Sequence, residues 1–176
     1  MNNKVLLENL RSIPDFPKKG INFRDVTTLY KNAECLQIMV DELYELYKDK
    51  GITKIVGVES RGFIMAAALA YRLKAGIVLA RKPGKLPSTV IKESFSKEYG
   101  VDTIEMHLDA INENDVVLIH DDLLATGGTA KAAYKLVKHM NPKQIYMNFI
   151  IEIRDEGLHG RDEFEGIVDV TTLMQL

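Results

Sequence analysis

Of 176 residues a single one is cysteine, Cys35, and none is tryptophan. A lone thiol cannot close an intramolecular disulfide, and the four histidines form no Cys/His spacing that binds structural zinc, so the fold has neither staple. Lys and Arg together number 23 against 25 Asp and Glu, a formal charge of −2. That removes the basic surplus with which phosphate-backbone binders meet nucleic acid, and no nucleic-acid partner is expected. No apolar run approaches the ~20 residues that cross a bilayer, and MNNKVLLENLRSIPDFPKKG has too few consecutive apolar residues for a secretory core. A cytoplasmic protein with no membrane partner is the expectation. Neither G-x-x-x-x-G-K-[ST] nor G-x-G-x-x-G occurs, so nothing indicates a P-loop nucleotidase or a dinucleotide-binding unit.

The chain is otherwise ordinary for a globular protein. It is 46% hydrophobic and 27% charged, enough to bury a core within one domain spanning residues 1–176. Residues 1–32 read as an N-terminal arm, with an amphipathic start over 4–13 and the Pro/Gly-punctuated loop Pro14-Asp-Phe-Pro-Lys-Lys-Gly20. Leu36, Met39, Val40, Leu43, Leu46 and Tyr47 recur at helical spacing, predicting a helix over 33–50 stopped by Gly51. Short apolar runs predict strands at 54–58, 77–80, 104–108, 116–119, 145–151 and 167–170, with helices over 63–74 and 130–140 between them. Strands alternating with helices predict an α/β fold with a central, mainly parallel sheet. Residues 81–100 are polar, basic and broken by Pro83, Gly84 and Pro87; a segment so long is expected to be a mobile, functional loop.

The most informative stretch is Val116-Val-Leu-Ile-His-Asp-Asp-Leu-Leu-Ala-Thr-Gly-Gly-Thr129. A strand covered on both faces runs into two acids, a glycine turn and a helix, and in open α/β sheets ligands bind at the carboxyl ends of strands. Backbone N–H groups and the positive helix end make Ala125, Thr126, Gly127, Gly128 and Thr129 a cradle for a phosphate monoester. Asp121 and Asp122 beside a phosphate are electrostatically unfavourable unless they meet hydroxyl donors or a metal. Phosphate and vicinal diol together describe a ribose 5-phosphate, with Mg²⁺ as companion at Asp121 and Asp122. The plainer alternative is that the acids cap the strand and the glycines only turn the chain.

HDDLLATGGT resembles the phosphoribosyl-pyrophosphate motif of type I phosphoribosyltransferases, and DDLLATGGT is nearest the wording of members that act on adenine. The resemblance runs in order through IPDFPKKGINFRDVT, VGVESRGF, ARKPGKLP and SFSKEYG. It implies that fold, with a small hood formed by the arm. It assigns Asp121 and Asp122 to the ribose hydroxyls, partly through Mg²⁺ and its waters, and residues 125–129 to the 5′-phosphate. Glu59, Ser60 and Arg61 would hold pyrophosphate in a loop with a cis peptide. Arg81, Lys82 and Lys85 would neutralise the departing pyrophosphate, with Arg61 and Lys85 counted as catalytic. Glu98 would handle the purine's ring proton, accompanied by Tyr99, and Phe23 and Arg24 would form the base pocket. Adenine and phosphoribosyl pyrophosphate are then the expected substrates, AMP and pyrophosphate the products, and a homodimer the expected assembly. Another purine base, or a silent sensor of phosphoribosyl pyrophosphate, are the competing readings. His120, by strand alternation, should point away from Asp121 and be structural. Cys35 should be a buried or semi-buried small side chain on its helix.

Overall fold

A computed structural model describes residues 3–96, 100–154 and 157–176. Five parallel strands form the central sheet: β3 (Lys54–Val58), β4 (Gly76–Ala80), β7 (Val116–Leu124), β8 (Gln144–Glu152) and β9 (Asp169–Gln175), in the order β4-β3-β7-β8-β9. Helices α3 (Ala33–Tyr47) and α4 (Gly62–Leu73) cover one face. Helix α5 (Gly128–His139) and an antiparallel hairpin, β5 (Val90–Ser96) with β6 (Val101–His107), cover the other. Neighbouring residues on one strand therefore enter different cores: Ile55 and Leu118 face α3 and α4, while Val56 and Ile119 face α5 and the hairpin. This is why these strands read as continuous apolar runs.

The N-terminal arm docks on the first of these cores. Helix α1 (Lys4–Asn9) is capped by Asn3, whose side chain accepts from the Val5 N–H, and it buries Leu6. A two-stranded ribbon follows, β1 (Arg11–Ile13) antiparallel to β2 (Phe23–Asp25), leading into the short α2 (Thr27–Tyr30). Asp25 locks the ribbon: it accepts from the N–H (3.0 Å) and Oγ1 (2.7 Å) of Thr27 and from Arg11 Nε (3.0 Å). These donors, Thr27 first and Arg11 next, hold its carboxyl down at about 2.

Several boundaries differ from the sequence reading, each for a physical reason. Helix α3 ends at Tyr47, before Gly51 takes up φ +66°. Residues 81–100 are not wholly irregular, because Val90–Ser96 pairs with β6 along its whole length. From Ile91 on, its half-buried and exposed residues alternate, as in a ribbon covered on one side by α5 and wet on the other. The last strand lies later than 167–170: the N–H groups of Ile167 and Val168 both donate to the Phe164 carbonyl, which makes the apolar run a turn. The strand proper is β9, whose Thr171-Thr172 pair disguised it as polar. Cys35 is buried, as expected.

Candidate active site

β7 does not stop at Ile119; it continues as a strand through Asp121 and Asp122 to Leu124 and only then turns into α5. Each glycine of the turn has its own requirement. Gly127 sits at φ +82°, where a Cβ would also lie 2.8 Å from the Gly160 carbonyl oxygen. Gly128 faces the hairpin, where a Cβ would meet the Phe95 ring at 3.2 Å. No side chain caps α5, so its first-turn N–H groups remain available to an anion. They open on a cavity of about 480 Å³ lined also by Glu59, Ser60, Arg61, Lys82, Asp102, Asp121 and Asp122.

The two acids form the floor. Gly62, the first residue of α4, packs so closely on them that a Cβ would lie 2.8 Å from the His120 carbonyl and 3.0 Å from Asp121 Oδ1. That brings Arg61 Nε to 2.7 Å from Asp122 Oδ2. Burial, then the neighbouring Asp122 charge, pushes Asp121 well above the usual carboxylate range. Burial raises Asp122 too, although Arg61 opposes it. A buried pair of like charges of this kind is relieved by a cation or by hydroxyl donors. Arg61 already neutralises part of that charge at the buried Asp122 Oδ2. Among the described residues no three His, Cys, Asp or Glu side chains converge as a metal cage. Two carboxylates do fit Mg²⁺, which is commonly held by one or two carboxylates together with substrate oxygens and water.

The loop expected to hold pyrophosphate has the cis peptide that the resemblance implied, between Glu59 and Ser60. Ser60, Arg61 and Lys82 line the cavity; Lys82 is ion-paired there with Asp102. Arg81 does not line it. Its guanidinium is turned to Glu59 (Nε to Oε2, 3.1 Å), which also accepts from the Lys82 N–H at 2.8 Å. Burial alone would raise the Glu59 carboxyl, but these donors hold it low. Lys85 is exposed and outside the cavity lining; its carbonyl accepts from Arg81 and its charge helps hold Glu59 ionised. Buried Glu105 pins this turn to β6 by accepting from the Gly84 N–H at 2.8 Å. Glu98 and Tyr99 lie outside the described residues.

Phe23 stands half-buried in β2, and Arg61 Cζ lies 5.5 Å from its ring centroid. One arginine thus touches both the acid pair and the aromatic platform. Phe16 packs edge-on with the same ring, centroids 5.3 Å apart. The Arg24 side chain turns away to Ser12 Oγ at 2.6 Å, leaving only its backbone near Phe23. His120 is fully buried, bonds Asn148 Oδ1 through Nδ1 at 3.0 Å and is pushed down to about 4 by burial. It is structural, as strand alternation indicated. Three residues carried no signal in the sequence: Asp102, delivered by hairpin register; Gly160, behind the turn; and Tyr30. The Tyr30 hydroxyl donates to the Arg61 carbonyl at 3.4 Å, and its phenol is held protonated by burial and by the acid pair.

Known proteins are similar in sequence and fold. The adenine phosphoribosyltransferase of Phocaeicola vulgatus is 62% identical over 176 residues, covering 100% of both chains. Among solved structures, the adenine phosphoribosyltransferase of Thermoanaerobacter pseudethanolicus superposes with a TM-score of 0.92 at 39% identity, covering 98% of this chain and 99% of that one. The APRTase of Giardia lamblia, complexed with 9-deazaadenine, gives 0.92 at 39% identity, with 100% and 98% covered. Residues 25–164 match the phosphoribosyl transferase domain. By sequence and fold, the chain belongs to the phosphoribosyl transferase domain family.

Proposed function

We propose that the protein transfers the 5-phosphoribosyl group of phosphoribosyl pyrophosphate to adenine, giving AMP and pyrophosphate, a purine-salvage reaction. The observation that carries this is Arg61, which joins the acid pair at the foot of an uncapped helix start to the Phe23 ring. Phosphate, diol and base are thereby served from one place. The α5 amides and the hydroxyls of Thr126 and Thr129 bind the 5′-phosphate, and Asp121 and Asp122 accept from the ribose hydroxyls. Ser60, Arg61 and Lys82 bind the pyrophosphate, whose C1–O bond breaks with its electron pair departing on the leaving group. Arg81 holds Glu59 and with it the shape of this loop, and Lys85 adds positive potential at its edge. The purine nitrogen forms the new bond to C1 and loses its proton, which Glu98 accepts with Tyr99 beside it. Phe23 stacks on the base while the Arg24 backbone meets its edge. Catalysis by this set is positioning plus stabilisation of the charge that develops on pyrophosphate. Asp121 and Asp122 would hold Mg²⁺, which would supply further neutralisation of that charge.

The assembly proposed is a homodimer. Ile64 and Tyr71, seven residues apart on one face of α4, are 46% and 86% exposed, and Ile77 on the neighbouring edge strand is 43% exposed. Apolar residues grouped this way mark an interaction surface. A cytoplasmic location is part of the proposal; no helix among the described residues is long and apolar enough to cross a membrane. The test is turnover of phosphoribosyl pyrophosphate with adenine, guanine, hypoxanthine or no base, with and without Mg²⁺. Mg²⁺-dependent AMP formation from adenine alone is expected. Saturable binding without turnover for any base would replace this reading with that of a sensor.

A further inference from the structure

The chain after β8 has no role in the sequence reading, yet it runs directly behind the phosphate turn. The Ile153 N–H donates to the Leu124 carbonyl and the Gly160 N–H to the Ala125 carbonyl, both at 2.9 Å. Gly160 is buried, and a Cβ on it would lie 2.3 Å from the Ala125 oxygen and 2.8 Å from the Gly127 nitrogen. The two backbones touch with no room for a side chain. The next residue, Arg161, anchors this contact in the sheet. Its Nε and Nη2 fork onto Glu152 Oε1 (2.8 Å) and Oε2 (2.6 Å), and its Nη1 donates to the Val170 carbonyl at 2.7 Å. Glu152 is 3% exposed and is the last residue of β8. A planar fork on a carboxylate fixes direction as well as distance, which an ammonium does not.

We infer that Arg161 is a positioning residue for phosphoribosyl transfer: forked on Glu152, it sets the Gly160 peptide against Ala125 and Gly127 and so holds the turn whose amides receive the 5′-phosphate. The inference rests on the function proposed above. A turn held before the ligand arrives spares the ligand the cost of ordering it. Loss of the strut therefore weakens binding of a 5′-phosphate and leaves pyrophosphate, held across the cavity by Ser60 and Arg61, unaffected.

The test compares two probes, ribose 5-phosphate and inorganic pyrophosphate with Mg²⁺, titrated against the wild-type protein, Arg161→Gln, Arg161→Lys and Gly160→Ala. Displacement of binding groups by an ångström costs catalysis about a hundredfold, and a rise of about tenfold or more in the ribose 5-phosphate Kd is expected for Arg161→Gln and Gly160→Ala. Pyrophosphate Kd and the KM for adenine should stay within about threefold, the range in which no directed contact is lost. Arg161→Lys, which keeps the charge and loses the fork, should be weakened in the same selective sense. Gly160→Ala leaves the ion pair intact, so it tests the strut even where Arg161→Gln folds poorly. Equal weakening of both probes, or an unchanged ribose 5-phosphate Kd in Gly160→Ala and Arg161→Gln, overturns the inference. Wild-type protein that binds pyrophosphate and not ribose 5-phosphate would instead overturn the functional reading, and the strut with it.

Discussion

Truncating Phe23 to alanine separates a base platform from a core residue. Phe23 belongs to neither apolar core; its ring meets Phe16 edge-on at 5.3 Å and the Arg61 guanidinium at 5.5 Å. Such contacts are worth about 0.5–1.5 kcal/mol for the aromatic pair and about 0.5–1 kcal/mol for the cation at an exposed site. The variant should therefore remain folded, with a modest drop in melting temperature. Base stacking on an aromatic ring contributes about 1–3 kcal/mol, so the KM for adenine should rise by roughly 5- to 150-fold. Arg61 keeps its 2.7 Å contact to Asp122 without the ring, so the KM for phosphoribosyl pyrophosphate should move by less than about threefold. Initial rates with each substrate varied at saturation of the other measure both, and Phe23→Tyr, which retains the stack, should restore adenine use. If both KM values rise together while the melting temperature collapses, Phe23 is a core residue and the base-site argument fails.

The parts of this molecule that could be read from the chain are those where one local cause acts. Val116 to Ile119 had to be a buried strand because both faces are covered, and Ala125 to Thr129 had to turn because two adjacent glycines have conformations or neighbours that exclude a side chain. Where two causes compete, reading failed. β9 is built on a Thr pair whose β-branching favours a strand, whereas the apolar Ile167-Val168 looked more strand-like and is a turn with Ile167 mostly exposed. Asp121 and Asp122 looked like residues after a strand because charged side chains seldom occupy one; they are inside it, and the close approach of Gly62 lets Arg61 compensate Asp122. That pairing spans two elements and leaves no local pattern. Asp102 reaches the cavity by hairpin register, and Gly160 reaches the back of the turn by a return of the chain far from the motif. Arg81 shows the converse, a cation whose place in the sequence suggested ligand binding and whose guanidinium supports Glu59.

Three further outcomes follow from the same geometry. Asp122→Asn keeps the volume and removes a charge that burial already disfavours, so the fold should hold while kcat/KM for phosphoribosyl pyrophosphate falls by about a hundredfold or more; turnover within about threefold of wild type would show the diol assignment to be wrong. Gly128→Val places a Cβ 3.2 Å from the Phe95 ring with methyls beyond it, an overpacking worth about 1–3 kcal/mol, and a melting curve should drop accordingly. The third outcome concerns acid stability. Burial would raise the Glu152 carboxyl, but Arg161 and Arg154 hold it at about 2 against an ordinary value of 4.5. Because the folded value lies below the unfolded one, the stabilisation is complete above about pH 4.5 and is lost as pH falls toward 2. Between those two values unfolding takes up a proton at Glu152, so the wild-type unfolding free energy should decline on acidification through that window, by up to about 1.4 kcal/mol per pH unit for this one group. Glu152→Gln should be less stable than wild type at pH 7 and should lose that part of the acid slope. Parallel denaturant titrations of the two proteins from pH 6 to pH 2 measure it, and identical slopes would mean that the Arg161 fork does not hold Glu152 ionised.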